Sequence, residues 1–176
     1  MREPNQPTEP NQPTEPNQPT EPRLNHLRAD GSAHMVDVSA KKVTVRSASA
    51  AGRVLLSPAA VAALRGGTVP KGDALSVARI AGIQAAKRTP DLIPLAHPIG
   101  VHAVEVDLVV ADDGVDLSAT VRTADRTGVE MEALTAVSVG ALALIDMVKA
   151  VDRHARITDV RVTAKSGGRS GNWVES

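Results

Sequence analysis

Apolar positions follow two rhythms along this chain. From Val101 to Val110, and again from Val115 to Ala124, apolar and polar residues alternate around Asp112-Asp113-Gly114, which predicts a β-hairpin. From Thr127 to Asp152 (TGVEMEALTAVSVGALALIDMVKAVD) there is no proline and Ala, Leu, Val and Met dominate, which predicts the longest helix. His34 to Ala50 is β-like, with Val43 and Val45 set between Lys42, Thr44 and Arg46. Ser57-Pro58 opens a short helix that Gly66-Gly67 closes. Residues 70–88 predict a second helix with Asp73 near its start, Lys87 and Arg88 in its last turn, and a core face of Leu75, Val77, Ala78, Ile80, Ala81 and Ile83. Asp91 to Gly100 reads as a loop stiffened by Pro94 and Pro98, and Ile157, Val160 and Val162 mark a last strand. The order β, short α, α, β, β, long α, β predicts an α+β fold of the ferredoxin-like split βαβ kind, an antiparallel sheet with helices packed on one face.

Composition restricts that fold to part of the chain. Residues 1–22 hold three copies of EPNQPT, starting at Glu3, Glu9 and Glu15, then Glu21-Pro22, and contain seven of the twelve prolines. With no large apolar residue after Met1, this segment has nothing to bury and reads as a disordered, partly polyproline tail. Residues 23–176 then form a single domain. The tail sets Arg2 against four glutamates, a net of −3, so a chain neutral overall leaves +3 on residues 23–176. That balance suits a small anionic ligand more than a nucleic acid. The absence of Phe and Tyr, with Trp173 the sole aromatic, argues against single-strand nucleic-acid modules, which stack bases on aromatic rings. No cysteine is present, so disulfides, thiolate metal sites and a cysteine nucleophile are excluded, and a cytoplasmic setting is expected. No signal peptide and no charge-free 18-residue apolar stretch is apparent, so no membrane association is expected.

Several residues bear chemistry. On a helical wheel Glu132, Thr135, Asp146 and Lys149 fall in a sector roughly 100° wide. Charges on an otherwise apolar helix are costly unless paired or used, although Asp146 and Lys149, three apart, also read as a weak surface pair. Lys71, at a helix start, opposes the dipole; it is either a loop lysine or, with Gly72, a focus of positive potential for an anion. Arg46 reads locally as a solvated strand arginine that is also placed to meet an anion. His97, held extended before Pro98, is a candidate because its loop is rigid. Lys165 to Gly171 (KSGGRSG) reads alone as a flexible tail, yet its glycines and cations also suit phosphate.

Five of these stretches together resemble one family. AHMVDVSAK, KGDALSVARIAGIQAAKRTPDLIPLAHP, TGVEMEALTAVSVGALALIDMVKAVD, the strand after it and AKSGGRSG resemble the MoaC family of cyclic pyranopterin monophosphate synthases, in family order over about residues 24–172. The resemblance implies an enzyme of molybdenum cofactor biosynthesis. Such enzymes rearrange 3′,8-cyclo-7,8-dihydro-GTP, supplied by a radical S-adenosylmethionine GTP cyclase, close a cyclic phosphate and release pyrophosphate. It also implies a homohexamer, a trimer of dimers with sites at dimer interfaces. By motif position it assigns Asp146, Lys149 and Lys71 to catalysis. Substrate contacts fall on Leu95, Ala96 and His97, on Glu130, Met131 and Glu132, and on Lys165 and Arg46. It brings in no protein-bound cofactor or metal, while Mg²⁺ carried by the triphosphate is left open. Ala96 stands where the family usually has a cysteine, which motivates an alternative, a catalytically reduced paralogue that binds a pterin or nucleotide.

The residue chemistry fits such a reaction. A lysine, with a reference pKa near ~10.4, serves as acid or base once burial or a neighbouring cation brings it to about 7–8. Lys149 and Lys71 are expected to move protons, with Asp146 positioning Lys149. Glu132 and Asp146, 14 residues apart, stand about 21 Å apart along a helix at ~1.5 Å per residue. Either the substrate stretches along the helix or the two serve different sites across an interface.

Overall fold

In a computed structural model the described residues are 27, 28, 30–168 and 171–176. The repeat segment 1–22, and Arg169 and Ser170 of the glycine run, lie outside them. The chain divides into two compact units between His34 and Met35. In the first, Leu27 bridges Ala33 around a short turn.

The second unit is an antiparallel sheet with helices packed on it. β1 (Thr44–Leu55) leads through α1 (Pro58–Arg65), α2 (Ala74–Ala86) and the short α3 (Thr89–Leu92) to β2 (Val101–Val110). β3 (Gly114–Asp125), α4 (Glu130–Val148), β4 (Arg156–Ser166) and β5 (Trp173–Val174) follow. The strand order β2-β3-β1-β4-β5, antiparallel throughout, carries the ferredoxin-like order with one added edge strand.

Local chemistry accounts for most element ends. Ser57 Oγ accepts from Ala60 N at 3.4 Å with Pro58 in the first turn, and Gly67 leaves the helix at φ +63°. Asp73 accepts from Ser76 N at 3.0 Å and starts α2. The hairpin follows its alternation, Val110 pairing with Val115. Asp152, expected at the end of the long helix, has left it: its carboxylate accepts from Ser57 N at 2.6 Å and His154 N at 2.9 Å, tying α1 to the β4 approach.

Four expectations need correction. Residues 35–43 are not strand. Asp37 accepts from Ser39 N at 2.8 Å and Lys41 N donates to Val38 O at 3.0 Å, so the segment turns before β1 begins. Pro90 sits in the first turn of α3 instead of stopping α2, and the expected loop from Asp91 starts inside that helical turn. The glycine run is not a plain tail, because Lys165 and Ser166 close β4 and the chain returns as β5. Lastly, α2 buries Ala74, Ala78, Gly82, Ala85 and Ala86, while Val77 and Ile80 are exposed. A Cβ on Gly82 would lie 2.8 Å from Ala136 O, and one on Gly140 3.3 Å from Ala78 O. α2 and α4 therefore cross backbone to backbone, and only small residues fit that face.

The core lies between sheet and helices and is built from Val, Leu and Ala, with Val54, Val115, Leu117, Val121, Val129, Val137, Leu144 and Val148 almost wholly buried. Burying each Val or Leu stabilises the fold by roughly 1.5–3 kcal/mol. By length and composition α4 is the one helix among the described residues able to cross a membrane. Here its apolar faces pack on α2, β1, β3 and β4.

Candidate active site

The candidate residues gather at the two ends of α4. At its C-terminal end Asp146 receives two lysines: Lys71 Nζ, from the turn before α2, lies 2.7 Å from Oδ2, and Lys149 Nζ lies 2.7 Å from Oδ1. Gly72, at φ +98°, turns the chain beside Lys71. The hydrogen bonds from Lys149 and then Lys71 hold the Asp146 carboxyl at about 2, so it is ionised at any ordinary pH. Lys149 is the C-cap residue, where a cation meets the negative end of the helix dipole. All three side chains are two-fifths or more exposed, so neither lysine is buried.

At the N-terminal end Glu132 is almost wholly buried, and that burial, with the neighbouring Glu130 carboxylate adding to it, raises its pKa against its own backbone N–H. Met131 beside it is exposed. The single charged stripe therefore breaks in two, with Glu132 and Thr135 inside the fold and Asp146 and Lys149 outside it. Glu130 pairs with Lys165 at 3.5 Å. Arg46, half-buried on β1, donates from Nε to Asp125 O at 3.0 Å and from Nη2 to Arg126 O at 3.2 Å, pinning β1 to the loop before α4.

Two hollows adjoin at this end. A groove of about 490 Å³ is lined by Met35, Val36, Ile99 and His97, with Arg126 and Thr127 at its border. His97 Nε2 lies 2.7 Å from Val36 O, and a carbonyl only accepts, so Nε2 carries the proton. The second hollow, about 120 Å³, shares Arg126 and Thr127 and is walled by Lys41, Arg46, Lys165 and Glu130. Leu95 and Ala96 are half-buried in the loop leading to His97, where Ala96 N donates to Ile93 O at 3.0 Å. That bond is main-chain, so the turn needs no particular side chain at 96.

The two ends do not meet within one protomer. Glu130 and Asp146 are sixteen residues apart, about 24 Å at ~1.5 Å per residue. Lys41 and Arg126 were not singled out from sequence; the available signals were the lysine that ends AHMVDVSAK and a cation immediately before TGVEMEALT. A third hollow of about 490 Å³, bounded by Arg53, Asp107, Asp116 and Arg161, contains none of the candidates. Among the described residues no three His, Asp or Glu side chains converge as a metal site.

The fold and the charged groups define a class: a ferredoxin-like protein with a lysine–aspartate–lysine cluster suited to proton transfer and a cationic recess suited to an anion. The MoaC family model matches residues 35–168, and the chain belongs to the MoaC family. It is similar to the cyclic pyranopterin monophosphate synthase of Streptomyces coelicolor, 66% identical over 154 residues that cover 88% of this chain and 91% of the relative. The synthase of Streptomyces griseus is 68% identical, with 86% of this chain and 85% of the relative covered. Cyclic pyranopterin monophosphate synthase 2 of Mycobacterium tuberculosis is 56% identical over 86% of this chain and 90% of that protein.

Proposed function

We infer that this chain is a cyclic pyranopterin monophosphate synthase, a lyase of molybdenum cofactor biosynthesis that converts 3′,8-cyclo-7,8-dihydro-GTP to cyclic pyranopterin monophosphate and pyrophosphate. The observation that carries this reading is the Asp146 carboxylate held between Lys71 and Lys149 in a chain of this family. Ring rearrangement and phosphate closure need protons moved at several atoms, with no net redox change. Lys71 and Lys149 are the proton-transfer groups, and Asp146 fixes where their ammonium groups stand. His97, Leu95, Ala96, Met131 and Glu132 contact the substrate ring system, and Arg46 and Lys165 meet its phosphates.

The separation of the two clusters supports a site shared between subunits. A nucleotide-sized substrate does not span about 24 Å of helix, so the N-terminal end of one α4 works with the C-terminal end of a neighbour's. A homohexamer built as a trimer of dimers supplies such pairs. A radical S-adenosylmethionine GTP cyclase supplies the substrate, in the cytoplasm. Mg²⁺, where required, arrives on the triphosphate, whose oxygens are its ligands.

Supplying the cyclised GTP intermediate and following pyrophosphate and pterin together tests this. Matched formation of both is expected. Tight binding with neither product would instead favour the paralogue reading, which rests on Ala96 and on the appended repeat tail.

A further inference from the structure

Trp173, the only Trp in a chain with no Phe or Tyr, stands on the two-residue strand β5 at the edge of the sheet. We propose that it is a positioning residue, whose indole packs on the Lys165 side chain and steers that ammonium toward the substrate. The role of Lys165 rests on the function inferred above; the pairing of the two side chains rests on strand register.

The register puts them side by side. Ala48 pairs with Lys165 across β1 and β4, and Lys165 pairs with Trp173 across β4 and β5. Directly opposed residues of antiparallel strands share one face, with Cβ atoms about 4.5–5.5 Å apart. Ala48 is buried beneath the helices, so the row of three faces the helix side. Glu130, the first residue of α4, meets Lys165 on that side at 3.5 Å. Trp173 is 45% exposed, so more than half of it is covered even on an edge strand. Val174, facing the other way, is 72% exposed.

A strand of two residues is too short to hold itself, and bonds on both flanks fix this one. Before it, Asn172 Oδ1 accepts from Gly167 N at 3.2 Å. After it, Glu175 N donates to Thr163 O at 2.8 Å, and Arg161 Nε lies 2.8 Å and 2.9 Å from the two Glu175 carboxylate oxygens. The side chain that these bonds hold against the helix side is Trp173.

The chemistry suits a lysine that must keep its charge. The face of an indole is electron-rich and attracts an ammonium without neutralising it, and Trp does so best among the aromatic residues. A carboxylate such as Glu130 also holds the ammonium, but it cancels the field. The ring further restricts a long side chain that is otherwise free to take many rotamers. Trp173 therefore keeps Lys165 in place while its charge serves the anionic groups of the substrate.

With no other Trp and no Tyr in the chain, tryptophan emission reports on Trp173 alone. Lys165→Met keeps much of the side chain and removes its charge. It is expected to shift the emission of the full chain without lowering the melting temperature; an unchanged spectrum would overturn the pairing. In steady-state kinetics on the cyclised GTP intermediate, Trp173→Leu is expected to raise KM about three- to fivefold with kcat less affected. Trp173→Phe, which keeps an aromatic face, is expected to recover most of that loss. A folded Trp173→Leu protein with the wild-type KM would contradict the proposal, as would Phe and Leu variants equally impaired. If Trp173→Leu does not fold, the emission of Lys165→Met decides. A chain whose emission responds to Lys165→Met but which turns over no cyclised GTP keeps the pairing and rejects the function. Turnover with an emission spectrum indifferent to Lys165 does the reverse.

Discussion

Lys71 and Asp146, 75 residues apart in sequence, meet at 2.7 Å where the turn before α2 passes the last turn of α4. The contact joins a loop lysine to a helix aspartate that also holds Lys149, and no element of the core depends on it. It is an exposed arrangement, and exposed ion pairs contribute little to stability. Function is the better account of why three charges converge there.

Asp146→Asn is therefore expected to lower turnover of the cyclised GTP intermediate by about a hundredfold or more while leaving the melting temperature nearly unchanged. Steady-state kinetics and a thermal melt on the same sample check both halves. A large loss of stability would move Asp146 from the reaction to the fold.

Glu132 provides a signed pH effect. Its folded pKa is raised by burial, so the native state holds a proton that the unfolded chain releases. Stability is thus lost as pH rises from about 4.5 through the folded value. Glu132→Gln removes that loss. Melts between pH 4.5 and 8 are expected to show the variant gaining on the wild type as pH rises, with reduced activity following from the substrate contact proposed for Glu132.

Asp152 works in the opposite direction. Hydrogen bonds from Ser57 and His154 backbone N–H groups hold its pKa below 3.8, so its contribution is present above that pH and lost as pH falls beneath it. Asp152→Ala is expected to cost about 1–2 kcal/mol at pH 7, through the lost tie to α1. Below the folded pKa of Asp152 the gap from the wild type is expected to narrow.

At the crossing of α2 and α4, Gly82→Ala places a methyl against Ala136 O. A destabilisation of about 1–3 kcal/mol is expected by chemical denaturation, with the midpoint shifted and the slope unchanged.

How much of this was legible in the sequence depends on the range of the interaction. The hairpin and the Ser57 cap follow from local rules, so alternation and capping residues announce them; the apolar run announces α4, which however spans Glu130–Val148 and not the whole of Thr127–Asp152. The outward face of α2 was misread because Val77 and Ile80 are the more hydrophobic residues. The opposite face is chosen by Gly82 and Gly140, whose value appears only when two backbones touch. The Asp146–Lys149 pair is visible at spacing three, whereas Lys71 joined it through family resemblance, since 75 intervening residues leave no periodic trace. Arg126 and Lys41, 85 residues apart, left no periodic trace, and although Lys41 ends the family stretch AHMVDVSAK, only the fold brings the two to one recess. Lys149 is exposed because a helix that is apolar along its length still ends at the surface.

The central claim is that the two ends of α4, each incomplete, act together across subunits. Mixing Lys71→Ala with Arg46→Gln, after dissociation and reassembly, and measuring turnover of the cyclised GTP intermediate tests it most directly. Each variant alone is expected to be nearly inactive, and the mixture to regain a substantial part of wild-type turnover, because hybrid assemblies hold some sites with neither lesion. A mixture that assembles yet stays as inactive as its parents would contradict the account.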